Sequence, residues 1–281
     1  MKFEAPKFEE SNNPNISHDV GNLREFRVLF GYLIATLLLL WLLVESLIWA
    51  MPQLISIELE RQWLSGVGQM LLADKNSHRD PKMQALADAL TRRMGLPPNS
   101  ITVYISSQSD PNAYATFGGN IVLHQGLLDK LAYEESVATL LAHEMAHIKH
   151  RDPLRGMSRT LFYNLIAASF GSNTHLNILM SLEGMRYSRE LERAADQAAV
   201  HAVAAYYGSV GGAVSLFNEL KSIEQNTTEH DEGKYLPIDW LSTHPNTVER
   251  LAYVKKLAQK NGYPMTPAKL PNPWGKSQVS R

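Results

Sequence analysis

Between Val28 and Val44 the chain runs VLFGYLIATLLLLWLLV without a single charge, and after Glu45 and Ser46 it resumes as LIWAM before Pro52. A bilayer's hydrocarbon core, about 30 Å thick, takes roughly 20 residues of helix, so residues 28–51 are long enough to cross it once. Trp41 and Trp49 suit the far end of such a span, where indoles favour the headgroup zone, and Glu45 lies close enough to that end to reach water. A cleaved signal segment has a shorter apolar part and a small-x-small site after it, and no convincing site of that kind follows here. The expectation is one transmembrane helix with the rest of the chain on a single side. Arg24 and Arg27 precede the span closely while Arg61 is the first cation after it, which favours an extracytoplasmic remainder, facing the periplasm if the membrane is a bacterial inner one. Residues 1–27 carry Glu4, Glu9, Glu10, Asp19 and Glu25, too acidic for a mitochondrial transit peptide, and read as a disordered tail.

The remainder reads as one unit, residues 52–263, followed by a proline-rich tail, 264–281, that is expected to be extended and exposed. Ile55, Leu59, Trp63, Val67 and Leu71 recur every four residues, as on an amphipathic helix. A second helix is expected over Pro81–Met94, stopped by Gly95 and Pro97–Pro98. Ile101–Ile105 is β-rich, and Ala113–Phe117, Gly118–Gly119–Asn120 and Ile121–His124 have the pattern of a hairpin. From Leu127 on the chain is helix-like. The fold expected is therefore mainly α with a small antiparallel sheet. Residues 161–182 are apolar but interrupted by polar positions, and read as a soluble helical hairpin or lid, with a pair of short membrane segments as the alternative.

Within Glu134–His150 the sequence HEMAH places His143 and His147 four residues apart, about 40° around a helix and one turn up. Two imidazoles so placed can hold one metal ion, and Glu144 beside them can reach a metal-bound water without ligating the metal itself. That is the arrangement for metal-assisted hydrolysis. A shuffled chain of this composition would contain H-E-x-x-H with probability about 0.02, so an ordinary charged helix face is a poor rival. Leu140, Leu141, Ala142 and Ala146 mark the helix as buried, where unpartnered histidines and a glutamate would be costly.

A third protein ligand is needed. A histidine six residues past His147 is excluded because position 153 is Pro, and His150 lies nearly two turns from His143. The segment SRELERAAD offers Glu192, with Asp196 one turn on as an acceptor for a ligand imidazole, and Ala194, Ala195, Ala198 and Ala199 as a small surface for close helix packing. The competing reading is a charged face on which Glu192 pairs with Arg189 or Arg193. Ser242–Thr243–His244–Pro245 precedes a helix beginning near Asn246, with the proline at a first-turn position. His244 could there donate to an oxyanion or simply cap the helix, and Arg250 could pair with an acidic group or be solvated. Asn112–Thr116 offers a strand edge on which an extended peptide could lie, engaging Asn112, Ala113 and Tyr114.

The chain has no cysteine, so any transition-metal site must rest on histidine and carboxylate, and its 27 basic against 28 acidic residues leave no footprint for nucleic acid.

HEMAH, SRELERAAD and STHPNTVERL, in that order, resemble the HtpX and CAAX-prenyl-protease family of zinc metallopeptidases over roughly residues 55–262. In organisation the chain is similar to the single-span or periplasmic quality-control members, BepA and LoiP among them. The resemblance implies a gluzincin fold and one Zn2+ per chain on His143, His147 and Glu192. It also implies Glu144 as general base, Asp196 as support for a ligand histidine, His244 as stabiliser of the transition state, and Asn112–Ala113 as part of a substrate strand. The implied activity is that of a membrane-anchored zinc endopeptidase acting on polypeptides, in particular misfolded or unassembled membrane and envelope proteins. The alternative is a membrane-tethered, chaperone-like binding factor whose zinc site is closed or idle. The single span distinguishes the chain from multi-span members and speaks against prenylated substrates.

Overall fold

The computed structural model describes residues 22–64, 66, 77–156, 158, 187–228, 240–268 and 270–276. The expected tail 1–27 lies largely outside them, as does the expected hairpin 161–182 in its entirety.

Two compact units divide between Ala50 and Met51. The first consists of helix α1 (Asn22–Leu54), which continues past that boundary. Its Leu23–Ala50 stretch is long and apolar enough to cross a membrane, and Leu33, Leu38, Leu39 and Leu42 all stand exposed.

In the second unit, α2 (Ile57–Trp63) begins at Ser56, whose hydroxyl accepts from Leu59 N. It covers the first part of the amphipathic pattern, while Val67 and Leu71 lie outside the described residues. Strand β1 (Ser77–His78) leads into α3 (Pro81–Met94), capped by Asp80 at its start, with Gly95 in the left-handed region at φ 66° at its end. Then come β2 (Thr102–Ser106), β3 (Ala113–Thr116), a 3-10 turn (Phe117–Gly119), β4 (Asn120–His124) and the short α4 (Gln125–Leu128). The remaining helices are α5 (Glu134–His150), α6 (Arg189–Tyr207), α7 (Gly211–Thr228), α8 (Trp240–Thr243) and α9 (Thr247–Asn261).

The sheet corrects the expectation of an antiparallel one. Its order is β1-β2-β4-β3, and it is mixed: β3–β4 and β1–β2 run antiparallel, but β2–β4 runs parallel, Val103 opposite Ile121 and Ile105 opposite Leu123. The hairpin β3–β4 forms as its turn sequence suggests. It then docks by its second strand, so β4 sits between β2 and β3, buried at every residue, and β3 is left on the edge. Burial on both faces is what a central strand with a parallel neighbour requires, and Ile121, Val122 and Leu123 supply it.

Helix α2 clamps the turn between β3 and β4. Glu60, 4% exposed, accepts from Gly118 N at 2.8 Å, and Arg61 Nε donates to Gly118 O at 3.0 Å. Gly119 is required here twice over: its φ is 75°, and a Cβ would stand 1.8 Å from Ser100 O. The other oxygen of Glu60 meets Arg151 Nη1 at 2.6 Å, tying the same clamp to the end of α5.

The C-terminal segment is held at many points. Leu270 O accepts from Glu134 N, the first helical N–H of α5, and Ala268 N donates to the buried Glu135 carboxylate at 2.6 Å. Asn272 Nδ2 donates to Leu128 O and Leu131 O, and Trp274 Nε1 donates to Asp80 Oδ1. Residues 264–268 and 270–276 thus form an extended, partly exposed strap over the start of α5. Its prolines forbid helix but leave every other residue free to bond.

Candidate metal centre

Helix α5 is buried from Glu135 to Ile148 and packs along α6, with the small residues Ala142 and Ala146 on one side and Ala195 and Ala199 on the other. Alanine at these positions lets the two backbones approach, which brings His143, His147 and Glu192 to one place. His143 Nε2 and His147 Nε2 are 3.1 Å apart, and they stand 3.5 Å and 3.6 Å from Glu192 oxygens. His244 joins the group, its Nδ1 2.9 Å from Glu192 Oε1 and 3.2 Å from His143 Nε2. One donor atom from each of the four lies within 4.8 Å of the others.

The opposite nitrogens of the two helix histidines are each taken by a carboxylate. His143 Nδ1 meets Asp196 Oδ1 at 3.1 Å, and His147 Nδ1 meets Asp152 Oδ2 at 2.9 Å. A proton held on each Nδ1 leaves each Nε2 with its lone pair turned towards the shared centre, the form in which imidazole ligates a metal. Arg250 in turn grips Asp196 with two hydrogen bonds, Nε to Oδ2 at 2.9 Å and Nη2 to Oδ1 at 2.7 Å, and places Nη1 2.7 Å from Glu192 Oε2. Helix α9, which carries Arg250, starts at Thr247 after Asn246 in the left-handed region, so Pro245 lies outside the helix and not in its first turn.

The residues present fit a divalent cation. Glu144, Asp152, Glu192 and Asp196 are each at most 2% exposed, and Arg250 is the fully buried guanidinium set among them. Arg155 reaches Asp152 only from the rim, at 3.7 Å. Buried carboxylates in excess of buried cations are costly unless something positive joins them. Oε2 of Glu144 is buried without a hydrogen-bond partner among the described residues. Protonation follows the same lines. Burial, reinforced by Arg250, pushes His143 down to about 3, and burial pushes His244 well below the usual imidazole range, so both are neutral and able to ligate. Burial would lower His147 as well, but its bond to Asp152 and the charges of Glu192 and Glu144 lift it above the usual range. Positive charge is favoured at that point in the molecule.

The other residues singled out from sequence lie nearby or on the sheet edge. Asn112 is buried, with its Oδ1 accepting from Ala113 N, and its main-chain oxygen accepts from His124 N. Ala113 and Tyr114 begin β3, whose outer edge has no strand partner among the described residues, and Tyr114 meets the His124 ring edge-on at 6.0 Å. His150 is outside the donor group.

Three residues escaped the sequence reading. The first is Asp152. Helix α5 ends at His150 because Arg151 adopts φ 65°, and that reversal swings Asp152 back onto His147. No helical spacing reveals this contact. Tyr187 lies just before Ser188, the N-cap of α6, and stacks on His147 with ring centroids 3.9 Å apart and 11° between planes. Burial, with the charges of Glu144, Asp152 and Glu192, keeps its phenol protonated. Trp240 is wholly buried, and its indole donates to Glu144 Oε1 at 2.9 Å. It precedes His244 by four residues, one helical turn, and that spacing was a usable signal.

Residues 77–258 match the model of Peptidase family M48. Among curated proteins, the mitochondrial metalloendopeptidase OMA1 of Saccharomyces cerevisiae is 26% identical over 159 residues, covering 54% of this chain and 45% of that protein. A protease HtpX homolog of a Sulfurovum species is 40% identical over 93 residues, 31% of this chain and 32% of its own. The beta-barrel assembly-enhancing protease of Yersinia pestis is 32% identical over 96 residues, 34% of this chain and 16% of its own. The chain spans less than half the length of each of these relatives.

Proposed function

From the premise that this chain belongs to Peptidase family M48, we propose that it is a membrane-anchored zinc endopeptidase of gluzincin type. His143, His147 and Glu192 hold the metal and Glu144 acts as general base. The observation that carries the reading is the pair of carboxylate-held imidazoles, His143 on Asp196 and His147 on Asp152, whose Nε2 atoms face each other and Glu192. Zinc at that point would supply an acidified water and a Lewis acid for the substrate carbonyl.

The chain's own residues do the rest. Glu144 takes the water's proton on Oε2 and later returns it to the leaving amine. Asp152 and Asp196 keep their histidines in the ligating tautomer, and Arg250 keeps Asp196 ionised and in place. His244 donates to the oxyanion. An extended substrate segment lies along the outer edge of β3, beside Asn112, Ala113 and Tyr114. The substrates proposed are misfolded or unassembled membrane and envelope proteins, reached by a domain tethered through α1 on the extracytoplasmic side.

A second reading has one observation in its favour. His244 Nδ1 stands within hydrogen-bonding distance of both Glu192 and His143, where a fourth ligand would close the centre to water. A closed centre would leave a tethered binding factor. Degradation of casein and of an unfolded outer-membrane protein by the zinc-loaded full chain in detergent separates the two. The enzyme reading predicts cleavage by wild type, and at least a roughly 100-fold loss in Glu144→Gln with zinc retained. No cleavage by wild type, with substrate bound equally well by both proteins, establishes the binding reading.

A further inference from the structure

Trp240 touches more of the centre than any ligand needs it to. Its ring lies over His244, centroids 4.5 Å apart and planes 18° from parallel, and meets His143 edge-on at 5.6 Å. The guanidinium of Arg250 stands 4.8 Å from its centroid. Its main-chain N donates to Pro111 O at 3.3 Å, next to Asn112 at the start of β3, and its own carbonyl accepts from His244 N at 2.8 Å. Filling space explains the ring. It does not explain where the indole N–H goes.

That N–H donates to Oε1 of Glu144 at 2.9 Å, while Oε2 of the same carboxylate is buried without a partner among the described residues. An indole can only donate, so the direction of the bond is fixed. The terminal torsion of a glutamate is broad and soft, and without an anchor its two oxygens would exchange roles. With Oε1 held, they become inequivalent: one lone pair is engaged and the other oxygen is open. The donor is also neutral. Oε1 can accept from it both as part of a carboxylate and as the carbonyl oxygen of a carboxylic acid protonated on Oε2. The anchor therefore persists through both halves of a proton shuttle, which a lysine or arginine in its place, bonding far more strongly to the charged form, would not allow.

We infer that Trp240 is a positioning residue for the general base: its indole N–H holds Glu144 by Oε1 so that Oε2 alone exchanges the proton. The inference rests on the reading of Glu144 as base. Because Trp240 is bonded to Pro111, the same residue sets the base relative to the strand on which the substrate is read. Its effect should fall on the rate of the chemical step and not on binding.

The test uses the full chain, zinc-loaded in detergent, with a fluorogenic peptide, and compares Trp240→Phe with wild type in two backgrounds. In the wild-type background kcat should fall about 10- to 100-fold, the range expected when a reacting group is displaced by about 1 Å, with KM and zinc content unchanged. In a Glu144→Gln background the added Trp240→Phe should cost nothing further, either in residual rate or in peptide Kd, because the group it positions has gone. Benzothienylalanine at 240, which keeps the ring and replaces N–H by sulfur, should repeat the kcat loss and covers the case in which phenylalanine does not fold. Unchanged kcat in both replacements overturns the inference. So does a loss that is additive with Glu144→Gln, or one that comes with raised KM or lost zinc. Full activity of Glu144→Gln alone would instead overturn the reading of the base itself.

Discussion

Helices α1 and α5 are opposite in what they bury. Leu23–Ala50 of α1 is long and apolar enough to cross a membrane, and its side chains from Leu23 to Leu43 stand exposed. Helix α5 is covered from Glu135 to Ile148, yet carries Glu135, His143, Glu144 and His147 in that covered part. In water each helix would be expensive, the first for its exposed apolar surface and the second for its buried ionisable groups. The proposed function answers both mismatches, with a bilayer around α1 and a cation at the end of α5. The lesson is that a mismatch between side-chain chemistry and surroundings is the more informative signal, since a leucine inside or a lysine outside says little.

The comparison can be broken from either side. The largest effect is expected at the buried network: Arg250→Met leaves Asp196 buried without its counter-charge and should destabilise the catalytic unit by about 3–5 kcal/mol, read as a lowered Tm of the zinc-loaded protein. On the other helix, Leu39 is 69% exposed. Leu39→Arg should cost about 2.5–3.5 kcal/mol of membrane insertion and shift the chain into the carbonate-soluble fraction. If that helix were simply exposed to water the change would be harmless, and unaltered membrane partition would sink the contrast. Asp152→Asn should weaken zinc binding about 10- to 100-fold, measured by competition with a chelating dye, while leaving far-UV circular dichroism unchanged.

A further effect is on pH dependence without metal. His143 titrates near 3 in the folded chain and His244 also lies well below the usual imidazole range. The unfolded chain therefore binds more protons between the ordinary histidine value and these lowered ones, and stability must fall as pH drops from 7 towards 4. His147, lifted above the usual range, works in the opposite direction but is one group against two. A urea midpoint that rises on acidification over this interval would contradict the arrangement.

What was legible in the sequence followed from local periodicity. The four-residue spacing of His143 and His147, the alanines of α6 and the Gly118–Gly119 turn each act over one or two turns of chain, and all three could be placed before the fold was known. Parallel pairing of β2 with β4 could not, because it depends on which strand of the hairpin docks. Asp152 was hidden by a left-handed residue, Arg151, whose conformation is secured from 91 positions away by Glu60. The bonds of the strap, residues 264–268 and 270–276, could not be read because they join it to Leu128, Leu131, Glu134 and Glu135, far away in the chain, which leaves no mark in composition.

The central claim is that the end of α5 is a metal centre completed by Glu192, and native mass spectrometry of the full chain released from detergent measures it directly. The account predicts one zinc ion per chain in wild type, and loss of that ion in both His147→Ala and Glu192→Ala. An undiminished zinc complement in either variant, or a wild-type chain that binds none when zinc is supplied, would contradict it.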